Sequence, residues 1–428
     1  MIDFEKRVLE NGLRVILAPM KSTEAVTLLV LAGVGSRYET KEINGVSHFL
    51  EHMFFKGTKD RPDPGQVHKD LNRIGAAYNA FTSKETTGFW VKTSFKDFDI
   101  GLDIVSDILL RPIFKDEEFQ KERGVILQEI DMYEDNPMHK TQSLLEAMTL
   151  EDQPIGWDIA GTKETVSSVK KEDLISYEKE NYLSRNIIVA VAGKFDKEET
   201  FVKIKAAFAE LKEGKNKDFK KASFSQKEPR LKVTEKDSDQ THLAMGFRAY
   251  DMFDDKRYPA NLLSTLLGGN TSSRLFTEIR EKLGLAYYVY SWNDQFMDCG
   301  YIGMAAGVPH EKLTEVTEGI RKICFQMKSG EVSEADLDAA KSYIRGQTAL
   351  RFESSEEIAS FVANQELFYN EIKQPAEIIK KIERVKREEV ISAASDIFKP
   401  EKANMSALGK HGTDNETKKK HEDILRSF

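Results

Sequence analysis

His48-Phe49-Leu50-Glu51-His52 is the stretch around which the rest of this chain is organised. In an α-helix, residues four apart are offset by only about 40° around the axis, so both imidazoles can reach one metal ion. Glu51 lies on the same arc, one position before the second histidine. The neighbours Phe49, Leu50, Met53, Phe54 and Phe55 are apolar, which predicts an interior helix. Burying two imidazoles and a carboxylate is costly unless a partner compensates them, and a divalent metal is the usual partner.

Length and composition exclude several classes of protein. A chain of 428 residues exceeds one ordinary core and favours two or three domains. The net charge of −8 argues against a nucleic-acid surface, which normally carries a basic stripe. Cys299 and Cys324 are the two cysteines, too few for a disulfide framework, so we expect a reducing, cytoplasmic location. No run approaches about 20 apolar residues, so we expect no membrane span.

Strand and helix patterns alternate along the first half of the chain. Arg14 to Pro19 and Ala25 to Ala32 are rich in Val, Leu and Ile and predict strands. Ile187 to Gly193 is a nearly continuous apolar run, typical of a central strand covered by helices on both faces. Helical spacing extends over Phe98 to Leu110 and over Pro62 to Ile74.

A predicted strand pair follows the histidine motif in sequence. Ala76 to Thr82 and Thr86 to Thr93 form this pair, and Asn79 and Ala80 lie in its first strand. A strand at a sheet edge can bind an extended peptide by strand addition, which needs no particular side-chain sequence in the ligand. An ordinary hairpin is the alternative that the periodicity leaves open.

An internal repeat divides the chain into two related halves. Val169 to Ser176 (V-K-K-E-D-L-I-S) is echoed by Val385 to Ser392 (V-K-R-E-E-V-I-S), and the same sequence offset carries Gly193 onto Gly409. The second half has no H-x-x-E-H. We therefore predict an α+β fold of two homologous α/β units, each a mixed, largely antiparallel sheet covered by helices. The predicted boundaries are a metal-binding unit over 1–211, a lysine-dense linker over 212–230 and a homologous unit without the metal over 231–428.

Two histidines do not complete a catalytic zinc site, which normally has three protein ligands and an open position for water. Asp116 begins a helical pattern on which Glu122 and Glu129 are seven positions apart and fall within about 20° of one face. This helix lies well downstream of His52, and its Val, Ile and Phe side chains would pack into the same core. Acidic residues on a helix are usually solvated, so the residues alone leave Glu129 as a candidate third ligand. The histidines that lack a partner at ligand spacing are assigned no metal role: His68, His139, His242 and His310.

The second half carries its own distinctive run, S-R-L-F-T-E-I-R-E-K-L-G-L-A-Y-Y over Ser273 to Tyr288. It predicts a helix that ends at Gly284, followed by a strand. Without further context, Arg280 and Tyr287 in this run are ordinary surface or half-buried residues.

The combination of H-x-x-E-H at 48 to 52, a glutamate at position 129 and a duplicated α/β chain resembles the pitrilysin family of inverted zinc metallopeptidases. It is most similar to the short bacterial form of that family, which is related to the β subunit of the mitochondrial processing peptidase. The resemblance covers roughly positions 5 to 410. It includes the Asn79-Ala80 strand, the helix of Glu122 and Glu129 and the R-E-K-L-G-L-A-Y run.

The resemblance implies a role for each of these residues. His48, His52 and Glu129 would bind one Zn²⁺ per chain, Glu51 would act as general base on a zinc-activated water, and Glu122 would lie just behind the ligands. The remaining implied site residues are those that bind or position the substrate: Asn79, Ala80, Arg280 and Tyr287. Tyr287 would lie near the scissile carbonyl.

The resemblance also implies an assembly. The family's active centre lies in a closed chamber built from four such α/β units, and this chain supplies two, so we expect a homodimer. Arg280 and Tyr287 would then act on the zinc site of the partner chain. The expected activity is that of a zinc endopeptidase for short or unfolded peptides. The alternatives are a non-catalytic core subunit of a larger assembly and a presequence-processing subunit that needs a different partner protein.

Overall fold

The computed structural model describes residues 1–410 and 415–428. Its strands form two sheets, and helices cover both of them. The strands are β1 Glu5–Val8, β2 Arg14–Pro19, β3 Ala25–Ala32, β4 Ala77–Thr82, β5 Thr87–Ser94, β6 Ile187–Gly193, β7 Arg230–Glu235, β8 Thr241–Ala249, β9 Tyr288–Gln295, β10 Gly300–Val308 and β11 Ala403–Gly409.

The α-helices follow the same alternation. They are α1 Val46–Phe54, α2 Gln66–Arg73, α3 Phe98–Leu110, α4 Asp116–Asp135, α5 Pro137–Leu150, α6 Lys163–Ser168, α7 Lys171–Asn181, α8 Lys197–Ala207, α9 Arg257–Gly268, α10 Leu313–Lys328, α11 Glu334–Arg351, α12 Ser355–Tyr369, α13 Pro375–Arg384, α14 Arg387–Ile397 and α15 Asn415–Arg426. Within the described ranges, these helices are too short or too polar to cross a lipid bilayer.

The first compact unit comprises residues 1–130, 157–220 and 347–376. Its six-stranded sheet has the order β1-β2-β6-β3-β5-β4. The β2–β6 pair is parallel, and the other neighbouring pairs are antiparallel. The strand β4 therefore lies at an edge of this sheet.

The central strand β6 is buried along its whole length because helices cover both faces of the sheet. Ile187, Val189 and Val191 belong to the core that includes α1, α3 and α7. The alternate residues belong to a second core with apolar side chains of α12: Ile188, Ala190 and Ala192. This two-sided burial explains the continuous apolar run of the strand.

The second compact unit comprises residues 131–156, 221–346 and 377–428. Its five-stranded sheet has the order β7-β11-β8-β10-β9, again with one parallel pair, β7–β11. The helix α5 packs on this sheet, where Leu145 contacts Ala244 and Ala305. A side chain at Gly246 would lie 3.1 Å from Leu145, so the glycine allows this close approach.

The two sheets confirm the predicted fold class and duplication. The order β2-β6-β3-β5-β4 has the same connectivity as β7-β11-β8-β10-β9. The sequence offset that relates Gly193 to Gly409 also relates the start of α7 to the start of α14. The compact units, however, exchange helices: α5 comes from the first half of the chain and packs in the second unit, whereas α12 does the reverse. The boundaries at 211 and 230 stay a prediction about the repeat.

Candidate metal centre

The helix α1 carries the H-x-x-E-H motif and lies against the first core. Phe49, Leu50, Met53 and Phe54 are buried, whereas the two histidines and the glutamate are partly exposed on the opposite face. The spacing of the motif therefore separates a packing face from a chemical face, as expected for an amphipathic helix.

The helix α4 brings the two glutamates to the same place. Phe119 of α4 stacks on Phe49 of α1 with ring centroids 4.8 Å apart, and Ile126 is buried in the same core. This contact fixes the two helices side by side. Glu122 and Glu129, on the adjacent face of α4, consequently point at the histidines.

Three side chains converge at the distances that a zinc ion requires. Glu129 Oε2 lies 3.8 Å from His48 Nε2 and 3.6 Å from His52 Nε2, and the three ligand atoms all lie within 4.8 Å of one another. Tetrahedral zinc with bonds of about 2.1 Å separates its ligands by about 3.4 Å. The pattern of two imidazoles and one carboxylate is that of a catalytic zinc site with an open fourth position.

Hydrogen bonds behind the three clustered side chains set the tautomer of His52. Its Nδ1 lies 3.2 Å from Glu122 Oε2, and Lys56 Nζ lies 2.7 Å from Glu122 Oε1. Burial would raise the pKa of Glu122, but the hydrogen bonds from His52 and Lys56 outweigh it and the net shift is downward. Because an ionised Glu122 accepts the Nδ1 proton, His52 Nε2 keeps its lone pair for a metal.

Burial and the neighbouring imidazole lower the pKa of His48 to about 4. His48 is therefore neutral at physiological pH, which is the form that binds a metal. The donor set, its spacing and the neutral form of His48 all fit a zinc ion.

Glu51 lies beside the ligands without being one of the clustered three. Burial raises its pKa, and a hydrogen bond from Thr82 Oγ1, 2.5 Å from Glu51 Oε2, opposes that rise. Thr82 is the last residue of β4, so the edge strand and the motif helix are joined at this carboxylate. A carboxylate with a raised pKa, held by one hydroxyl, suits a general base.

A cavity of about 220 Å³ opens next to this cluster. Glu51, His52 and Glu122 line it on the side of the helices. Asn79 and Ala80 line it from β4, so the structure brings these predicted residues to the site. The remaining lining side chains are Phe55, Lys56, His68 and Tyr78.

Arg280 and Tyr287 lie together in the second unit. Both side chains are exposed, with 77% of Tyr287 accessible. The Arg280 guanidinium carbon is 5.8 Å from the centre of the Tyr287 ring and 4.7 Å from that of Phe276. Arg280 belongs to a π-helical segment, Phe276–Lys282, a conformation that often marks functional sites.

Several residues of this site do not stand out in the sequence. Thr82, Lys56 and His68 each belong to common residue types, and only the fold places them beside the motif. His68 is held at the cavity by two contacts. Its ring stacks on Phe55, and its Nδ1 lies 3.0 Å from Tyr78 Oη. The sequence does hint at Lys56. It lies four positions after His52, so it would be placed one turn further along on the same face of a helix as the histidines.

Comparison with known proteins gives a consistent result. Residues 14–163 match the family model described as insulinase (peptidase family M16), and residues 168–344 match the one described as the peptidase M16 inactive domain. The second match begins near the end of the first half and extends into the half that lacks the H-x-x-E-H motif.

Relatives match along most of the chain. A Bacillus subtilis protein named uncharacterized zinc protease YmxG is 34% identical over 392 residues, covering 91% of this chain and 94% of its own. An uncharacterized zinc protease of Rickettsia felis is 33% identical, covering 92% and 95%. The crystal structure of a protease from Helicobacter pylori has a TM-score of 0.89 at 27% identity, covering 95% of this chain and 99% of that one.

Proposed function

Because this chain belongs to the insulinase (M16) family of peptidases, we propose that it is a zinc endopeptidase that hydrolyses short or unfolded peptides. The convergence of His48, His52 and Glu129 within 4.8 Å, with Glu51 beside them, is the observation that carries the proposal. A structural metal site would normally be closed by a fourth protein ligand. It would also place no demand on a neighbouring carboxylate that is not a ligand.

His48 Nε2, His52 Nε2 and a Glu129 oxygen would hold the zinc ion. When bound, zinc supplies Lewis acidity, which makes a water nucleophilic near neutral pH and stabilises negative charge on the substrate oxygen. The chain's own part is to present both imidazoles in a form that can bind the metal. Burial keeps His48 neutral, and the contact with Glu122 fixes the tautomer and ring orientation of His52.

Glu51 would move the proton. As the water oxygen attacks the peptide carbonyl carbon, Glu51 takes a proton from that water. It then donates this proton to the leaving amine as the carbon–nitrogen bond breaks, which returns Glu51 to its carboxylate form. The Thr82 hydroxyl would hold the carboxylate in place during both transfers.

The edge strand β4 would bind the peptide in an extended conformation. Its outer backbone groups are unpaired within the six-stranded sheet, and Asn79 and Ala80 line the cavity beside Glu51. Main-chain pairing selects for extended chains rather than for a residue sequence, which suits short or unfolded substrates. Most backbone groups of a folded protein are already paired within its own structure, so folded chains would be poorer substrates.

We further propose a homodimer with an enclosed chamber, in which Arg280 and Tyr287 of one chain position the substrate at the zinc site of the other. Their exposure and their mutual contact support a role in binding something outside their own unit. A cytoplasmic location is part of the same proposal, consistent with the free thiols of Cys299 and Cys324.

Zinc content and cleavage of a quenched fluorogenic peptide test this proposal together. We expect one zinc per chain, hydrolysis that a chelator abolishes, and recovery of activity when zinc is returned. Zinc-loaded protein that stays inactive by itself would favour a non-catalytic core subunit. Activity that appears only with a second, different protein would favour a presequence-processing subunit.

A further inference from the structure

The helix α1 begins without a capping side chain of its own. Its N-cap residue is Gly45, with φ +98°, a backbone conformation that other residues rarely adopt. A Cβ atom at Gly45 would also lie 2.6 Å from the carbonyl oxygen of Ala160. The first N–H groups of any helix lack intrahelical partners, and at a buried terminus they need an acceptor from elsewhere.

Glu39 supplies that acceptor. Its Oε2 accepts hydrogen bonds from Gly45 N and Asn44 Nδ2, and its Oε1 accepts one from Ser47 N, each at 2.8 Å. A single carboxylate thus holds both the N-cap residue and the first turn of the helix. Its negative charge also lies at the positive end of the helix dipole.

The backbone of Glu39 is anchored by the segment that precedes it. It follows the short helix Ser36–Tyr38, in which the buried Arg37 forms an ion pair with Glu85 and stacks over the ring of Phe219, 3.8 Å from its centre. Glu39 therefore joins a rigid base to the start of the motif helix.

Burial disfavours the ionised form of Glu39. Glu39 is 4% exposed, and burial raises its pKa to about 7 despite the hydrogen bonds that oppose the rise. An ionised carboxylate at this position therefore costs free energy of folding at neutral pH. What the carboxylate adds at the start of α1 is the geometry of its three hydrogen bonds, to Asn44, Gly45 and Ser47.

His48 is the residue that depends most on this geometry. The His52 ring is oriented by Glu122, but within the described part of the chain the buried Nδ1 of His48 has no hydrogen-bond partner. The direction of the His48 side chain is therefore set by the backbone from which it projects. The residue before His48 is Ser47, whose N–H donates to Glu39 Oε1.

We propose that Glu39 is a positioning residue for the metal centre, which it controls by fixing the first turn of α1 and thereby the placement of His48. The inference rests on the proposed zinc site. Glu122 orients His52 by contacting its ring. Glu39 would orient His48 indirectly, by holding the backbone of the preceding residue.

The affinity of the full-length protein for zinc tests this proposal, measured at pH 8 by competition with a chromophoric chelator. In Glu39→Gln, one carboxylate oxygen becomes an NH₂ group that faces N–H donors. We expect zinc to bind about tenfold more weakly, the lower end of the effect of losing a partner behind a ligand. Amide hydrogen exchange over residues 45–54 should also quicken in the metal-free protein.

Glu366→Gln is the matched control. Glu366 is also a buried carboxylate of the first unit, but its partners are Lys6 and Arg14. This variant should leave zinc affinity and exchange over 45–54 unchanged. If Glu39→Gln fails to fold, Asn44→Ala decides the question, because it removes one donor to Glu39 and should weaken zinc binding in the same direction.

Wild-type zinc affinity in folded Glu39→Gln, or in Asn44→Ala where that variant decides, would overturn the inference. An equal loss in Glu366→Gln would also overturn it, because the effect would then follow general destabilisation. A wild-type protein that binds no zinc would instead overturn the proposed function.

Discussion

Replacing Thr82 with valine removes one hydroxyl from the site and little else. Valine has nearly the shape of threonine, so β4 should keep its pairing with β5. The change deletes the only hydroxyl in the described structure that donates to Glu51, a hydrogen bond of 2.5 Å. Glu51 would keep its position on α1 but lose the group that favours its ionised form.

The size of the effect follows from the charge on the acceptor. A hydrogen bond to a charged group contributes about 1.5–3 kcal/mol, and one pKa unit corresponds to about 1.4 kcal/mol. Because burial already raises the pKa of Glu51 and the Thr82 hydroxyl lowers it, the valine variant should raise that pKa by about one to two units. A general base must be ionised to act, so activity should be lost at a higher pH as the solution is acidified.

The assay is the pH profile of kcat/KM for a fluorogenic peptide. The acidic limb of Thr82→Val should shift upward by about one to two pH units, whereas Thr82→Ser, which keeps a hydroxyl, should stay near wild type. An ion bound beside Glu51 acts on all these proteins alike, so the difference between them reports the hydroxyl. Superimposable profiles for the valine variant and the wild type would refute the assignment of Glu51 as a base held by Thr82.

Three further outcomes are expected. His48→Ala and Glu129→Gln should each lose bound zinc in elemental analysis, because two remaining ligands do not hold the ion; a full zinc complement in either would remove that residue from the ligand set. Relative to Glu39→Gln, the metal-free wild type should lose about 3 kcal/mol of unfolding free energy in denaturant titrations as pH rises from 4.5 to 7, because the folded state raises the pKa of Glu39 to about 7; the comparison cancels the other titrating groups, such as His48, whose lowered pKa acts in the opposite direction. Phe49→Ala should destabilise the first unit by about 3–5 kcal/mol in the same titrations, because Phe49 is fully buried and stacked on Phe119; a loss below about 1 kcal/mol would contradict that packing.

Local patterns predicted the elements around the site well. The strand patterns at Arg14 to Pro19 and Ala25 to Ala32, and the helix pattern at Phe98 to Leu110, coincide with the observed elements. The helix predicted from Pro62 begins only at Gln66, because two prolines and a glycine precede it and hold the chain in a turn. The errors lie at boundaries, where capping and turn chemistry outweigh periodicity.

The exchange of α5 and α12 could not be predicted from the sequence. The repeat identifies two related halves, and each half has the strands of one sheet. The apolar face of an amphipathic helix, however, does not specify which of the two sheets the helix will cover. Only the packing of Leu145 against Ala244, and of Val362 in the core of Ala190, shows which sheet each helix covers.

The residues of the site also fall into those that the sequence predicts and those that only the structure reveals. His48, His52 and Glu129 follow from spacing together with a family resemblance, because helical geometry fixes which residues share a face. Thr82 and Glu39 do not follow, since each acts through one hydrogen-bonded contact between segments distant in sequence. Such contacts depend on tertiary structure, and neither residue type is unusual at its position.

Glu51→Gln tests the central claim most directly, because it separates metal binding from proton transfer. The purified variant should bind as much zinc as the wild type, while kcat for peptide hydrolysis should fall by about 10²–10⁴-fold, the usual contribution of general acid–base catalysis. Near-normal turnover by the zinc-loaded variant would show that Glu51 is not the general base.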